Sequence, residues 1–155
     1  MLLARALIHH LPSVQPFFQE AWRTLADGGL FIIQNRTPDD CFLPGSAEHV
    51  RGYFFSACPH LRNIEAKRRF SSAHIRQALH SSGFSLLSEE TLWETRAIHQ
   101  SKQELLADLS KRKGRSLLHQ LSELVHVIDT TLEQDGPIVE KDRWTLWIAG
   151  KEVER

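Results

Sequence analysis

The segment 13–36, SVQPFFQEAWRTLADGGLFIIQNR, constrains the fold more than any other part of the chain. Val14, Phe17, Phe18, Ala21, Trp22 and Leu25 recur at helical spacing and form one apolar stripe. Ser13, next to Pro12, fits an N-cap whose side-chain oxygen accepts an amide hydrogen of the first turn. Asp27-Gly28-Gly29 ends the helix, because glycine takes the left-handed backbone that a helix end needs. Leu30–Ile33 is then an unbroken apolar run, the pattern of a strand covered on both faces, and polar Gln34-Asn35-Arg36 follows at its carboxyl end. An amphipathic helix feeding such a strand through a short glycine turn predicts an α/β fold.

The rest of the chain is punctuated in the same way. Met1–Ala4 predicts a short strand, and Leu7–Leu11 a turn or short helix carrying His9 and His10. Residues 39–70 are less regular: Ser46–Phe55 can be helical, and Cys58-Pro59 breaks any continuous helix. Ser71 or Ser72 caps a helix over Ala73–Ser81, and Gly83 stops it. Phe84–Leu87 starts a strand that Thr91–Ile98 continues past an irregularity. Residues 101–134 are the most helical part, with Leu105, Leu106 and Leu109 on one face of a first helix. A basic turn over Lys111–Ser116 precedes a second helix, Ser116–Glu133, whose stripe is Leu117, Leu118, Leu121, Leu124, Val125, Ile128 and Leu132. Trp144–Ala149 is the last strand, Trp144, Leu146 and Ile148 alternating with Thr145, Trp147 and Ala149.

Lys plus Arg and Asp plus Glu each total 19 of 155 residues, so the formal net charge is zero. A general electrostatic grip on nucleic acid or on an anionic membrane is therefore not expected, leaving only a local patch. No apolar run approaches the roughly 20 residues of a membrane span, and the N-terminus lacks the basic leader and cleavage site of a signal peptide. Cys41 and Cys58 match no zinc spacing and read as two reduced thiols, which points to the cytoplasm.

Four pieces, in this order, resemble class I S-adenosylmethionine-dependent methyltransferases: ALIHHLP after a strand, FFQEAWRTLADGGLFIIQNR, IRQALHSSGFSLL and WTLWIAGK. The second carries the family's helix-turn-strand pattern in Glu20, Arg23, Leu25, Gly28 and Gly29. The resemblance covers residues 1–98 and 140–151 and implies the family's strands 4, 5, 6 and 7. It implies half of a Rossmann-like sheet in the order 4-5-7-6, the last strand antiparallel, within one truncated domain over residues 1–155. Residues 99–137 become a helical insertion, a lid or an association surface. The family's glycine-rich strand-turn-helix and the ribose-binding acid after its second strand have no counterpart here. S-adenosylmethionine is thus the cofactor of the complete fold, and none is expected to bind this chain alone. A homodimer through the exposed strand 4 edge is the expected partner, and the methyl acceptor is not legible.

In that frame His10 is the candidate general base, with His9 beside it, since histidine titrates near neutral pH. The alternative is a turn histidine with a solvent or backbone partner. A metal site fits less well, because adjacent histidines point apart and no third ligand lies near. Arg5 and Ala6 would touch the cofactor through backbone groups in a completed enzyme. Gln34, Asn35 and Arg36 sit where open α/β sheets place ligands and are the substrate-side candidates; a polar strand exit is the alternative. Trp93–Arg96 and Glu140–Arg143 read as ion-paired surface clusters flanking strands.

Overall fold

The computed structural model describes residues 1–112, 118–134 and 136–153. Lys113–Ser116 of the basic turn and Leu117 of the second leucine stripe lie outside the described residues. The elements in chain order are β1 (Leu2–Arg5), a 3-10 turn (Ile8–His10), α1 (Gln15–Thr24), β2 (Leu30–Asn35), α2 (Pro38–Cys41) and α3 (Arg51–Ala57). They continue with α4 (Pro59–Arg68), α5 (Ser72–Ser81), β3 (Ser85–His99), α6 (Lys102–Arg112), α7 (Leu118–Thr131) and β4 (Ile138–Gly150). The sheet has four strands in the order β1-β2-β4-β3. β1 runs parallel to β2 with Leu3 opposite Ile32, and β4 runs antiparallel to β2 with Trp147 opposite Ile33. This is the 4-5-7-6 order that the resemblance implies.

The chain divides into two compact units. The first comprises Met1–Asp40, Ala66–Leu92 and Trp144–Arg155. Strand alternation and register put Ala4, Phe31, Ile33, Trp147 and Ala149 on one sheet face, and all five are buried there. α1 contributes Phe18 and Ala21 to this core and α5 contributes Ile75, Ala78 and Leu79. Phe31 sits at its centre, 5.4 Å from the Phe18 ring and 5.3 Å from that of Phe84. Burial of an aromatic or aliphatic side chain of this size stabilises a fold by about 1.5–3 kcal/mol, so this cluster holds the unit together.

Local chemistry sets both ends of α5. Ser71 caps α5, its Oγ accepting the His74 amide hydrogen at 3.2 Å. Gly83, after α5, has φ +95°, and a Cβ there would lie 3.1 Å from the Trp22 ring. Ser13 does not cap α1: Val14 holds the cap position, and the Gln15 amide reaches Ser13 Oγ only at 3.4 Å. Pro16 in the first turn removes one of the amides a cap would serve.

Three strands are longer than the sequence reading. β2 takes in Gln34 and Asn35, because β4 continues to pair with it as far as Asn35 opposite Thr145. β3 is one strand of 15 residues instead of two pieces. β4 begins at Ile138, six residues before Trp144. α4 was hidden from periodicity because none of its residues is buried, so it has no apolar stripe to announce it.

The second unit comprises Cys41–Glu65 and Trp93–Arg143. Its core gathers Val50 and Tyr53 with Leu105 and Leu109 of α6, Leu124 and Ile128 of α7, and Leu132 and Ile138. Glu140–Arg143 is not a flanking surface cluster but part of β4. Glu140 is buried, its Oε2 3.1 Å from His99 Nε2, with Arg96 3.7 Å from its other oxygen. A buried carboxylate of this kind needs such partners, and they come from β3. Cys41 and Cys58 are both buried, reduced thiols. No helix among the described residues is long and apolar enough to cross a membrane. Among the described residues no cluster of three His, Cys, Asp or Glu could hold a metal ion.

Candidate functional site

The polar residues of the first unit collect at the carboxyl ends of β1 and β2, the end where open α/β sheets bind ligands. β1 leaves the sheet through Ala6, whose φ of +51° is left-handed and costs a non-glycine residue about 1–2 kcal/mol. The Ala6 amide donates to the Gln34 carbonyl at 2.9 Å, so that N–H belongs to the sheet. The kink leads into the 3-10 turn, which sets His9 against β2.

His9 Nδ1 lies 3.0 Å from Asn35 Oδ1. Asn35 Nδ2 donates to the Arg36 carbonyl at 3.2 Å, which fixes the amide so that Oδ1 faces His9. His9 therefore carries its proton on Nδ1 and leaves Nε2 as an acceptor. Its pKa is lowered from 6.5, first by burial, opposed by the Asn35 hydrogen bond, and lowered further by the positive charges of Arg69, His10 and Arg68. The neutral form suits a base near neutral pH. His10 is exposed and its ring centroid lies 4.0 Å from that of His9.

Behind this pair is a buried polar knot. Asp40 Oδ2 accepts from the Thr37 amide at 2.9 Å, the Thr37 hydroxyl at 2.9 Å and the Thr145 hydroxyl at 2.8 Å. The Asp40 amide donates back to Thr37 Oγ1 at 3.2 Å, and Arg36 Nη2 donates to the Asp40 carbonyl at 3.2 Å. Asn35, Arg36, Thr37, Asp40 and Thr145 are all buried. The reciprocal Thr37–Asp40 bonds form a capping box around Pro38 at the first position of α2. Thr37-x-x-Asp40 was visible in the sequence as such a signature. Thr145 had no local signal and arrives only through the β2–β4 register.

The seven candidate residues do not form one group. His9, His10 and Asn35 come together. Arg36 joins the buried knot. Gln34 alternates to the opposite sheet face, where Arg5 pairs with it in register and lies over the Trp144 ring at 5.6 Å.

The strand-to-helix connections here, Ala6–Val14 and Arg36-Thr37, contain no glycine. Gly28-Gly29 and Gly83 both lie in helix-to-strand turns, at the other end of the sheet. The glycine-rich loop that brings a backbone against a nucleoside cofactor is thus not among these residues, and Asp40 is engaged by threonine donors. On their own they do not fit S-adenosylmethionine.

No family model matches the chain, and no curated protein does. Solved structures do match. A candidate methyltransferase from Bacillus halodurans C-125 superposes on 97% of this chain with 63% of its own length, a TM-score of 0.56 and 17% identity. The [4+2]-cyclase SpnF matches 98% of this chain with 50% of its own length, a TM-score of 0.52 and 13% identity. A candidate sarcosine dimethylglycine methyltransferase from Galdieria sulphuraria matches 97% of this chain with 52% of its length, a TM-score of 0.50 and 15% identity. The fold is therefore part of the methyltransferase fold, and the chain spans between half and 63% of the length of these structures. The cyclase shows that this fold does not by itself fix the reaction.

Proposed function

We propose that this chain is the acceptor-side part of an S-adenosylmethionine-dependent methyltransferase, and that residues outside it supply the grip on the cofactor. The observation that carries the reading is the β1-β2-β4-β3 order, with its antiparallel β4, combined with His9, His10 and Asn35 at the carboxyl ends of the first two strands. Methyl transfer from a sulfonium is a displacement that needs positioning and, for some acceptors, one base. His9 Nε2, neutral and held by Asn35, or the exposed His10 beside it, would take the acceptor proton. Arg5 and Ala6 would meet the cofactor through backbone groups in the completed fold, and the buried Asn35 would act on the acceptor side by holding His9.

Titration calorimetry with S-adenosylmethionine and S-adenosylhomocysteine tests the division of labour. No heat of binding is expected for this chain at low micromolar concentrations. Low-micromolar affinity would show that these residues hold the cofactor after all. Association is the second reading, favoured by β1 lying at the sheet edge with Leu3 58% exposed.

A further inference from the structure

We infer that Asp40 is a positioning residue for His9: through the Arg36–Thr37 peptide and the Asn35 amide it sets which ring nitrogen of His9 stays free to take a proton. This rests on the reading of His9 as an acceptor-side base. The residues form an unbroken chain of hydrogen bonds within the first unit. Thr145, on β4, donates its hydroxyl to Asp40 Oδ2 at 2.8 Å. The same oxygen accepts the Thr37 amide hydrogen at 2.9 Å. The other side of that peptide unit is the Arg36 carbonyl, which accepts from Asn35 Nδ2 at 3.2 Å. Asn35 Oδ1 in turn lies 3.0 Å from His9 Nδ1.

Every link runs in one direction. An amide N–H only donates, so Asp40 Oδ2 is the acceptor for Thr37. The peptide is planar and trans, with its N–H and C=O pointing opposite ways. By holding the Thr37 N–H, Asp40 therefore aims the Arg36 C=O at Asn35. A carbonyl only accepts, so Asn35 turns its amino group toward Arg36 and its oxygen toward His9. His9 then donates from Nδ1, and Nε2 keeps its lone pair. The Arg36 side chain adds a second tie, Nη2 donating to the Asp40 carbonyl at 3.2 Å. Asn35 and Asp40 are buried, where hydrogen bonds in series strengthen one another. Asp40 reaches no reacting atom and acts only through Asn35.

The test is the ring-nitrogen NMR signature of His9 in the isotope-labelled chain, read above the midpoint of its titration, where nitrogen–proton correlations tell the two neutral tautomers apart. Wild type should carry the proton on Nδ1. In Asp40→Ala nothing aims the Asn35 amide, and the tautomer ratio should move toward the Nε2-protonated form about fivefold or more, the weight of one ordinary hydrogen bond. Burial lowers the His9 pKa and the Asn35 hydrogen bond opposes that, so the midpoint should fall further when the bond is lost. Asp40→Asn keeps an acceptor oxygen and should restore both readings. If circular dichroism shows Asp40→Ala unfolded, Thr145→Val, which removes one of the bonds that fix the Asp40 carboxyl group, should move both readings in the same direction. Wild-type His9 protonated on Nε2 would overturn the inference. So would an unchanged tautomer in folded Asp40→Ala or, where that variant unfolds, unchanged readings in Thr145→Val, because a merely structural Asp40 lowers stability without touching them. The experiment involves no cofactor and no methyl transfer, so its failure leaves the methyltransferase reading standing, and the calorimetric result bears on that reading alone.

Discussion

Asp40→Ala removes the acceptor from the buried knot at the end of β2. Three donors then lose their partner: the Thr37 amide, the Thr37 hydroxyl and the Thr145 hydroxyl, at 2.9, 2.9 and 2.8 Å. Asp40 is fully buried, so water does not replace the lost acceptor in the closed structure. Hydrogen bonds to a charged group contribute about 1.5–3 kcal/mol each, but the three share one oxygen and do not add. The expected loss is about 3–5 kcal/mol, since each buried donor left without an acceptor costs about 1–3 kcal/mol and the three costs add only in part. For a chain of this size that lowers the melting temperature by roughly 6–20 °C. Thr145→Val, which removes one of the three bonds, should cost about 1.5–3 kcal/mol alone and much less in the Asp40→Ala background. Thermal unfolding followed by circular dichroism measures all four proteins. A loss under about 1 kcal/mol for Asp40→Ala, or a Thr145→Val cost that is the same in both backgrounds, would show that the knot does not hold the β2–β4 register as argued.

Stability should depend on His9 below neutral pH. Its folded pKa is lowered from 6.5, so the stabilisation of the neutral form is complete above that value, falls as pH drops through the lowered folded value, and then levels. Urea unfolding at stepped pH should show that decline, and His9→Gln should remove it; an unchanged profile would refute the assignment. Gly83→Ala should destabilise by about 1–3 kcal/mol, since φ is +95° and the added methyl meets the Trp22 ring at 3.1 Å; a neutral effect in chemical denaturation would contradict this. Sedimentation at roughly tens of micromolar should show a dimer formed through the β1 edge, and Leu3→Lys should return it to monomer. A wild-type monomer at that concentration would exclude the edge pairing.

Helix α1, the glycine turn after it and strand β2 were legible because their signals are local: a stripe at intervals of three and four residues, a residue that tolerates positive φ, and an unbroken apolar run. Ser71 announced α5 for the same reason, through one hydroxyl and one amide three residues away. The strand order came from the resemblance and not from any residue pattern. What no local pattern contained is decided by register. Asp40 meets Thr145 across 105 residues of chain, and His9 meets Asn35 across 26. Gln34 and Asn35, neighbours in sequence, end on opposite faces because a strand turns successive side chains apart. Glu140 looks like surface charge in a run of charged residues, and only its place in β4 beside His99 makes it buried. The sequence by itself thus determined the elements whose free energy comes from neighbours along the chain. The tertiary structure alone decided which polar groups share a buried space, because burial and partner are set by strand pairing between segments that the sequence holds far apart.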